Sequence, residues 1–168
     1  MNSPVSPTHN EGLAAEKKQD GAAPARILLV DDDPVNQMVA LGLLRRHGWQ
    51  AVAAANGREA LQFLATQSFD VILMDLQMPE MDGYQTATVI RQNEAQSSTP
   101  SAAPGSSDGP GTRTDARGRH IPIIALTTAS QPGVREKCLA AGMDDFLNKP
   151  VKPVELYAMV QKYLRENQ

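Results

Sequence analysis

Val71-Ile72-Leu73-Met74-Asp75-Leu76-Gln77-Met78-Pro79-Glu80-Met81-Asp82-Gly83 is an apolar run that stops at a carboxylate and passes through a turn into a helix start. Four consecutive large apolar side chains without alternation read as a strand covered on both faces, the pattern of a parallel sheet. Asp82-Gly83-Tyr84-Gln85 then has capping-box spacing for a helix. The same phrase recurs on either side. Upstream, Ile27-Leu28-Leu29-Val30 runs into Asp31-Asp32-Asp33-Pro34, where Asp33 offers an N-cap and Pro34 the first helical residue. Residues 51–55 are a weaker strand, and Asn56-Gly57-Arg58-Glu59 opens a helix with Ala60, Leu61 and Leu64 on one face. Downstream, residues 121–126 are a third apolar run, and Pro132 can start a fourth helix ending near Gly142. Phe146-Leu147 is a short strand, and Pro153 starts a fifth helix with Leu156, Val160, Tyr163 and Leu164 as its buried stripe. Strand and helix alternate five times, which predicts a doubly wound α/β sandwich on a five-stranded parallel sheet.

Two stretches lack the side chains to join that core. Residues 1–25 are small and polar without a period, and residues 95–119 are almost devoid of large apolar groups. Neither can bury enough surface to offset the entropy of ordering. The first is expected to be a disordered tail. The second is expected to be a flexible insertion within one domain spanning residues 26–168, on the edge opposite the strand ends.

The composition excludes several classes. A net charge of −3 on 168 residues leaves no footprint for nucleic acid or an anionic membrane surface. No apolar run reaches membrane-spanning length, and the N-terminus has no signal-peptide core. Cys138, the single cysteine, has no internal disulfide partner. The expected location is the cytoplasm. Trp49, Tyr84 and the methionines sit at ordinary packing spacings, and His9, His47 and His120 lack the context of a functional histidine.

Chemistry in an open parallel sheet collects beyond the carboxyl ends of the strands. Here those ends carry Asp31-Asp32, Asp75, Thr127-Thr128 and Lys149 before Pro150. In a flavodoxin-like (βα)5 sheet of order 2-1-3-4-5, the first and third strands are neighbours, so their carboxylates repel at close range. A bound divalent cation relieves that repulsion, and an all-oxygen ligand set favours Mg²⁺.

The segments LLVDDDPVNQ, VILMDLQMPEMDG, PIIALTT and AGMDDFLNKPV together resemble the response regulator receiver family, over residues 26–94 and 120–168. DPVNQ and AGMDDFLNKPV are most similar to receivers attached to hybrid sensor kinases. The resemblance implies that Asp75 accepts a phosphoryl group from a phosphohistidine. It implies that Asp32 ligates Mg²⁺ directly and Asp31 largely through water, with Asp75 and the backbone carbonyl of Gln77 completing the protein ligands. It implies that Lys149 pairs with the phosphoryl oxygens, that Thr127 closes on them, and that Phe146 is the switch aromatic. Lys149-Pro150 matches a bond that is usually cis in that family. Two departures bear on rates. Thr128 stands where a smaller residue is usual and can crowd Asp75. Ala129 offers no group to orient an attacking water, which implies slow self-hydrolysis unless Gln77 positions that water alone.

The resemblance also implies partners: a sensor histidine kinase or a histidine phosphotransfer protein upstream, and a downstream protein target whose docking surface the phosphate switches. Asp75-Leu76-Gln77 lacks the second Asp of the Asp-x-Asp found in dehalogenase-like phosphatases. A stoichiometric switch, not an enzyme, is therefore expected. No output domain follows the fifth helix in the sequence, so a phosphorelay protein of one domain is expected.

Overall fold

The computed structural model describes residues 23–97, 120–128 and 132–166. They fold as β1 (Arg26–Val30), α1 (Pro34–Arg46), β2 (Gln50–Ala54), α2 (Gly57–Thr66), β3 (Val71–Asp75), α3 (Gly83–Ser97), β4 (Ile123–Thr127), α4 (Val134–Ala140), β5 (Asp145–Asn148) and α5 (Pro153–Glu166). The five strands are parallel in the order β2-β1-β3-β4-β5. This is the flavodoxin-like arrangement expected from the sequence. The expected tail, apart from residues 23–25, and the expected insertion, apart from residues 95–97, lie outside the described residues.

The period of two along each strand sorts the core into two layers. Leu28, Val30, Ile72, Met74, Ile123 and Ala125 point to one face, under Ala60 and Leu64 of α2, Ala87 and Ile90 of α3, and Cys138 of α4. Ile27, Leu29, Val71, Leu73, Ile124 and Leu126 point to the other, under Ala40 and Leu44 of α1 and Leu156 and Val160 of α5. The apolar runs are unbroken because both faces are covered. Trp49 is buried in the second layer, where His47 stacks on it at 4.0 Å and meets Tyr157 at 4.6 Å.

The helix starts follow the local chemistry. Asp33 Oδ1 accepts from the backbone N–H of Val35 at 2.7 Å and of Asn36 at 3.3 Å. Asn56 Oδ1 accepts from Glu59 N–H, and Glu59 reaches back to the N–H of Ala55. Asp82 Oδ1 accepts from Gln85 N–H at 2.8 Å. Two boundaries differ from expectation. α4 begins at Val134 rather than at Pro132, because Gly133 stands in the left-handed region at φ 88° and caps the helix without a side-chain bond. α3 continues to Ser97, past the expected start of the insertion at residue 95. Its last turns are held by polar contacts. Buried Glu94 accepts from Ile121 N–H through Oε1 and pairs with Arg91 through Oε2 at 2.7 Å.

Arg91 is the centre of that region. Its guanidinium donates to Gly142 O at 2.7 Å, Ile121 O at 3.0 Å, Glu94 Oε2 at 2.7 Å and Asp144 Oδ2 at 2.9 Å. Asp144 also accepts from Ile123 N–H and contacts the His120 ring at 2.9 Å. One side chain thus ties the end of α3 to the entry of β4 and to the loop before β5. Gly142 has φ +87°, and a Cβ there would lie 2.6 Å from Arg91 Cγ.

Candidate functional site

Strand direction puts every β-strand's carboxyl end on one edge, and the order of the sheet places β1 beside β3, where the chain's winding reverses. Asp31 directly follows β1, and Asp75 is the last residue of β3. Asp31 and Asp75 are buried while Asp32 is exposed, and their ligand oxygens lie within 4.8 Å of one another. Lys149 enters from the end of β5. Its ammonium donates to Asp31 Oδ2 at 2.7 Å and lies 3.0 Å from Asp75 Oδ2. Two of the three carboxylates meet the ammonium while Asp32 stays outside the pair, and the remaining formal charge of −2 suits a divalent cation with oxygen ligands.

The titration of the site follows from burial and pairing. Burial pushes the Asp75 carboxyl above its ordinary value of 3.8, against the pull of Lys149 and the Gln77 N–H, which donates to Asp75 Oδ1 at 3.2 Å. For Lys149, burial acts downward, but hydrogen bonds to Asp31 and Asp75 outweigh it and hold the ammonium above 10.5. The cation therefore stays charged where the carboxylates need it.

The surrounding backbone is packed to hold these groups. Lys149 N–H donates to Thr127 O at 2.7 Å, and the Lys149-Pro150 bond is cis, as the resemblance implied. Thr127, buried, is one residue past Leu126, which pairs with Asp75 in the sheet. Gly83 lets α3 start against β3: a Cβ there would come within 2.3 Å of the Asp75 carbonyl oxygen. Asp33, the third carboxylate of the run, is the α1 cap. Half-buried Phe146 on β5 pairs with Ala125 on β4, packs against the α2–α3–α4 layer and lines a cavity of about 150 Å³ with Cys138 and Tyr163. Thr128 is exposed, and Ala129 lies outside the described residues.

Asp31, Asp32, Asp75, Thr127 and Lys149, named from the sequence, lie at this edge, and two side chains behind them had been given no role. Gln37 donates to Asp31 O at 2.6 Å, and Asn36 Nδ2 lies 3.5 Å from Asp31 Oδ1. Their signal was the DPVNQ segment itself, in which they sit one turn into the helix that follows the acidic pair.

The family model of the response regulator receiver domain matches residues 27–102 and 111–161, which include Asp31, Asp32, Gln37, Asp75, Thr127, Phe146 and Lys149. The chain belongs to this family. Receivers are signalling modules of two-component systems, and this one is similar to those carried by hybrid kinases. It is 37% identical over 139 residues to a probable histidine kinase of rice, Oryza sativa subsp. japonica, covering 82% of this chain and 14% of that protein. It is 38% identical over 143 residues to hybrid signal transduction histidine kinase B of Dictyostelium discoideum, covering 83% of this chain and 7% of that one. The chain thus spans less than a fifth of the length of these relatives. Among solved structures, the receiver domain of a Pseudomonas aeruginosa sensor histidine kinase, which has a magnesium ion coordinated in its active site cleft, is 37% identical. It aligns with a TM-score of 0.65 over 84% of this chain and 98% of that one. The receiver of a Saccharomyces cerevisiae response regulator, solved in complex with a histidine phosphotransfer protein, is 29% identical. Its TM-score is 0.68, over 83% of this receiver and 88% of that chain. No helix among the described residues is long and apolar enough to cross a membrane.

Proposed function

We propose that this receiver accepts a phosphoryl group on Asp75 from a phosphohistidine, in the presence of Mg²⁺, and thereby switches a protein-docking surface. The observation that carries this reading is the junction of Asp31, Asp32, Asp75 and Lys149 at the β1–β3 edge. Asp32, Asp75 and the Gln77 carbonyl are the assigned metal ligands, with Asp31 acting largely through water. Bound there, Mg²⁺ supplies positive charge to the phosphoryl oxygens. In the transfer, the phosphorus–nitrogen bond of the donor breaks, a bond from an Asp75 carboxylate oxygen to phosphorus forms, and the donor imidazole leaves with the electron pair. A carboxylate is a weak nucleophile, so Asp75 is held for in-line attack more than it is activated. Lys149 is placed to neutralise charge on the equatorial oxygens. Afterwards the Thr127 hydroxyl donates to the new phosphoryl group and Phe146 turns inward, a population shift driven by the phosphate's contacts in one state. Each acceptance is stoichiometric.

The upstream partner is a sensor histidine kinase or a histidine phosphotransfer protein, and the downstream partner is a protein. A protein donor must seat around Asp75, and beside that edge α1 exposes Val35, Met38 and Val39, at 61%, 68% and 53%. An apolar patch of this kind suits a protein contact. Met38→Asp is expected to slow transfer from a phosphorylated transfer protein about tenfold or more, as loss of a well-packed apolar anchor does. It should leave phosphorylation by a small donor unchanged. Equal slowing with both donors would place Met38 in the chemistry instead. The function itself is tested by mixing the chain with a labelled phosphohistidine protein: label should move to the native chain and not to Asp75→Asn.

A pH dependence follows from Asp75. Its raised pKa means the folded chain keeps the proton to higher pH than the unfolded chain does. Just above 3.8, metal-free stability therefore falls as pH rises. Lys149 does not cancel this, because its raised pKa contributes stability at all pH values below 10.5 and loses it only as pH rises through the folded value. Metal binding needs the ionised carboxylates, so Mg²⁺ should raise the melting temperature markedly at neutral pH and little near the ordinary carboxylate pKa. An equal rise at both would contradict the ligand assignment.

A further inference from the structure

Asp31 is held at every polar group. Its N–H donates to Ala54 O at 3.1 Å, Oδ1 accepts from Asp33 N–H at 2.9 Å, and Oδ2 meets Lys149 at 2.7 Å. Its carbonyl oxygen accepts from Gln37 Nε2 at 2.6 Å, and the same amide nitrogen lies 3.4 Å from Ala54 O. Gln37 thus spans the carboxyl ends of β1 and β2 at the root of the acidic pair. The neighbouring Asp32 is placed differently. Its carboxylate is exposed and, among the described residues, makes no hydrogen bond or ion pair. Only the backbone aims it, and the peptide that sets its Cα–Cβ direction is the one whose oxygen Gln37 grips.

We propose that Gln37 is a positioning residue for the metal-binding carboxylates, acting through the Asp31–Asp32 peptide. The inference rests on the reading that Asp31, Asp32 and Asp75 hold Mg²⁺. Asp31 is 1% exposed, so without the Gln37 amide its carbonyl is left buried without that donor, and the peptide plane turns to find another. That rotation carries Asp32 away from Asp75. Partners behind the ligands of a metal commonly change affinity by about 10- to 100-fold when removed. Gln37→Met keeps the length of the side chain and removes the donor. Gln37→Glu keeps the shape and removes the donor, while adding a negative charge that by itself favours a cation.

The test is calorimetric titration of the full chain with Mg²⁺ alone, for the native protein and both variants, beside the metal-free melting temperature of each. The expected result is Mg²⁺ affinity about tenfold weaker in Gln37→Met, and weaker in Gln37→Glu despite its added charge. If Gln37→Met fails to fold, Gln37→Glu decides. Native Mg²⁺ affinity in a folded variant, whatever its melting temperature, would make Gln37 a purely structural residue and overturn the proposal. Absence of Mg²⁺ binding by the native chain would instead overturn the metal assignment on which it rests.

Discussion

Lys149→Met is expected to slow phosphorylation of Asp75 by about two orders of magnitude, the usual cost of removing one preorganised donor from a charge-stabilising site. The ammonium is hydrogen-bonded to Asp31 and lies 3.0 Å from Asp75 before any phosphoryl group arrives, so it is already in place when charge develops. Mg²⁺ affinity should move the other way. Lys149 competes with a cation for Asp75 and neutralises Asp31 beside it, and its loss leaves both carboxylates better able to attract one. Without metal the variant should be less stable by about 3–5 kcal/mol, since two buried carboxylates lose their partner, and added Mg²⁺ should restore part of that. The rate is read by single-turnover phosphorylation and the stability by urea titration with and without Mg²⁺. A near-native rate would remove Lys149 from the chemistry. Weakened Mg²⁺ binding would mean that the lysine organises the carboxylates rather than competes for them.

Arg91→Met is expected to be the most destabilising substitution away from the site, by about 3 kcal/mol, because it breaks a part-buried ion-pair network and strands buried Glu94. The methionine keeps the stem but leaves Glu94, Asp144 and the carbonyls of Ile121 and Gly142 without the guanidinium. Arg91→Lys should recover only part of the loss, as a single ammonium cannot reach four acceptors in a plane. Urea unfolding measures both. A loss below about 1 kcal/mol, the range of exposed ion pairs, would show that the hub is solvated and adds little.

These two residues also mark where the sequence was legible and where it was not. Lys149 was readable because it ends a strand, and parallel topology sends every strand end to one edge. Asp31, Asp75 and Thr127 were found the same way, from unbroken apolar runs that terminate in polar groups. Arg91 was invisible. It is one arginine on a helix, and its partners at Gly142 and Asp144 lie 51 and 53 residues away, so no local pattern encodes them. The end of α3 was misplaced for a related reason. Apolar content was the criterion, yet the last turns are held by Glu94 and Arg91 through hydrogen bonds. The start of α4 was misplaced because proline is a common first helical residue. Here Gly133 intervenes with a positive φ, which a helix interior does not accept. Gln37 escaped because its role is to hold a backbone oxygen, and glutamine in a helix carries no signal of that.

Everything proposed for this receiver depends on Asp75 being a Mg²⁺-dependent phosphoryl acceptor. Its most direct test is the intact mass of the chain after incubation with phosphoramidate, with and without Mg²⁺, for the native protein and Asp75→Asn. The expected result is one added phosphoryl group on the native chain with Mg²⁺, and none without the metal or in the variant. No gain in the native chain, or an equal gain in Asp75→Asn, would contradict it.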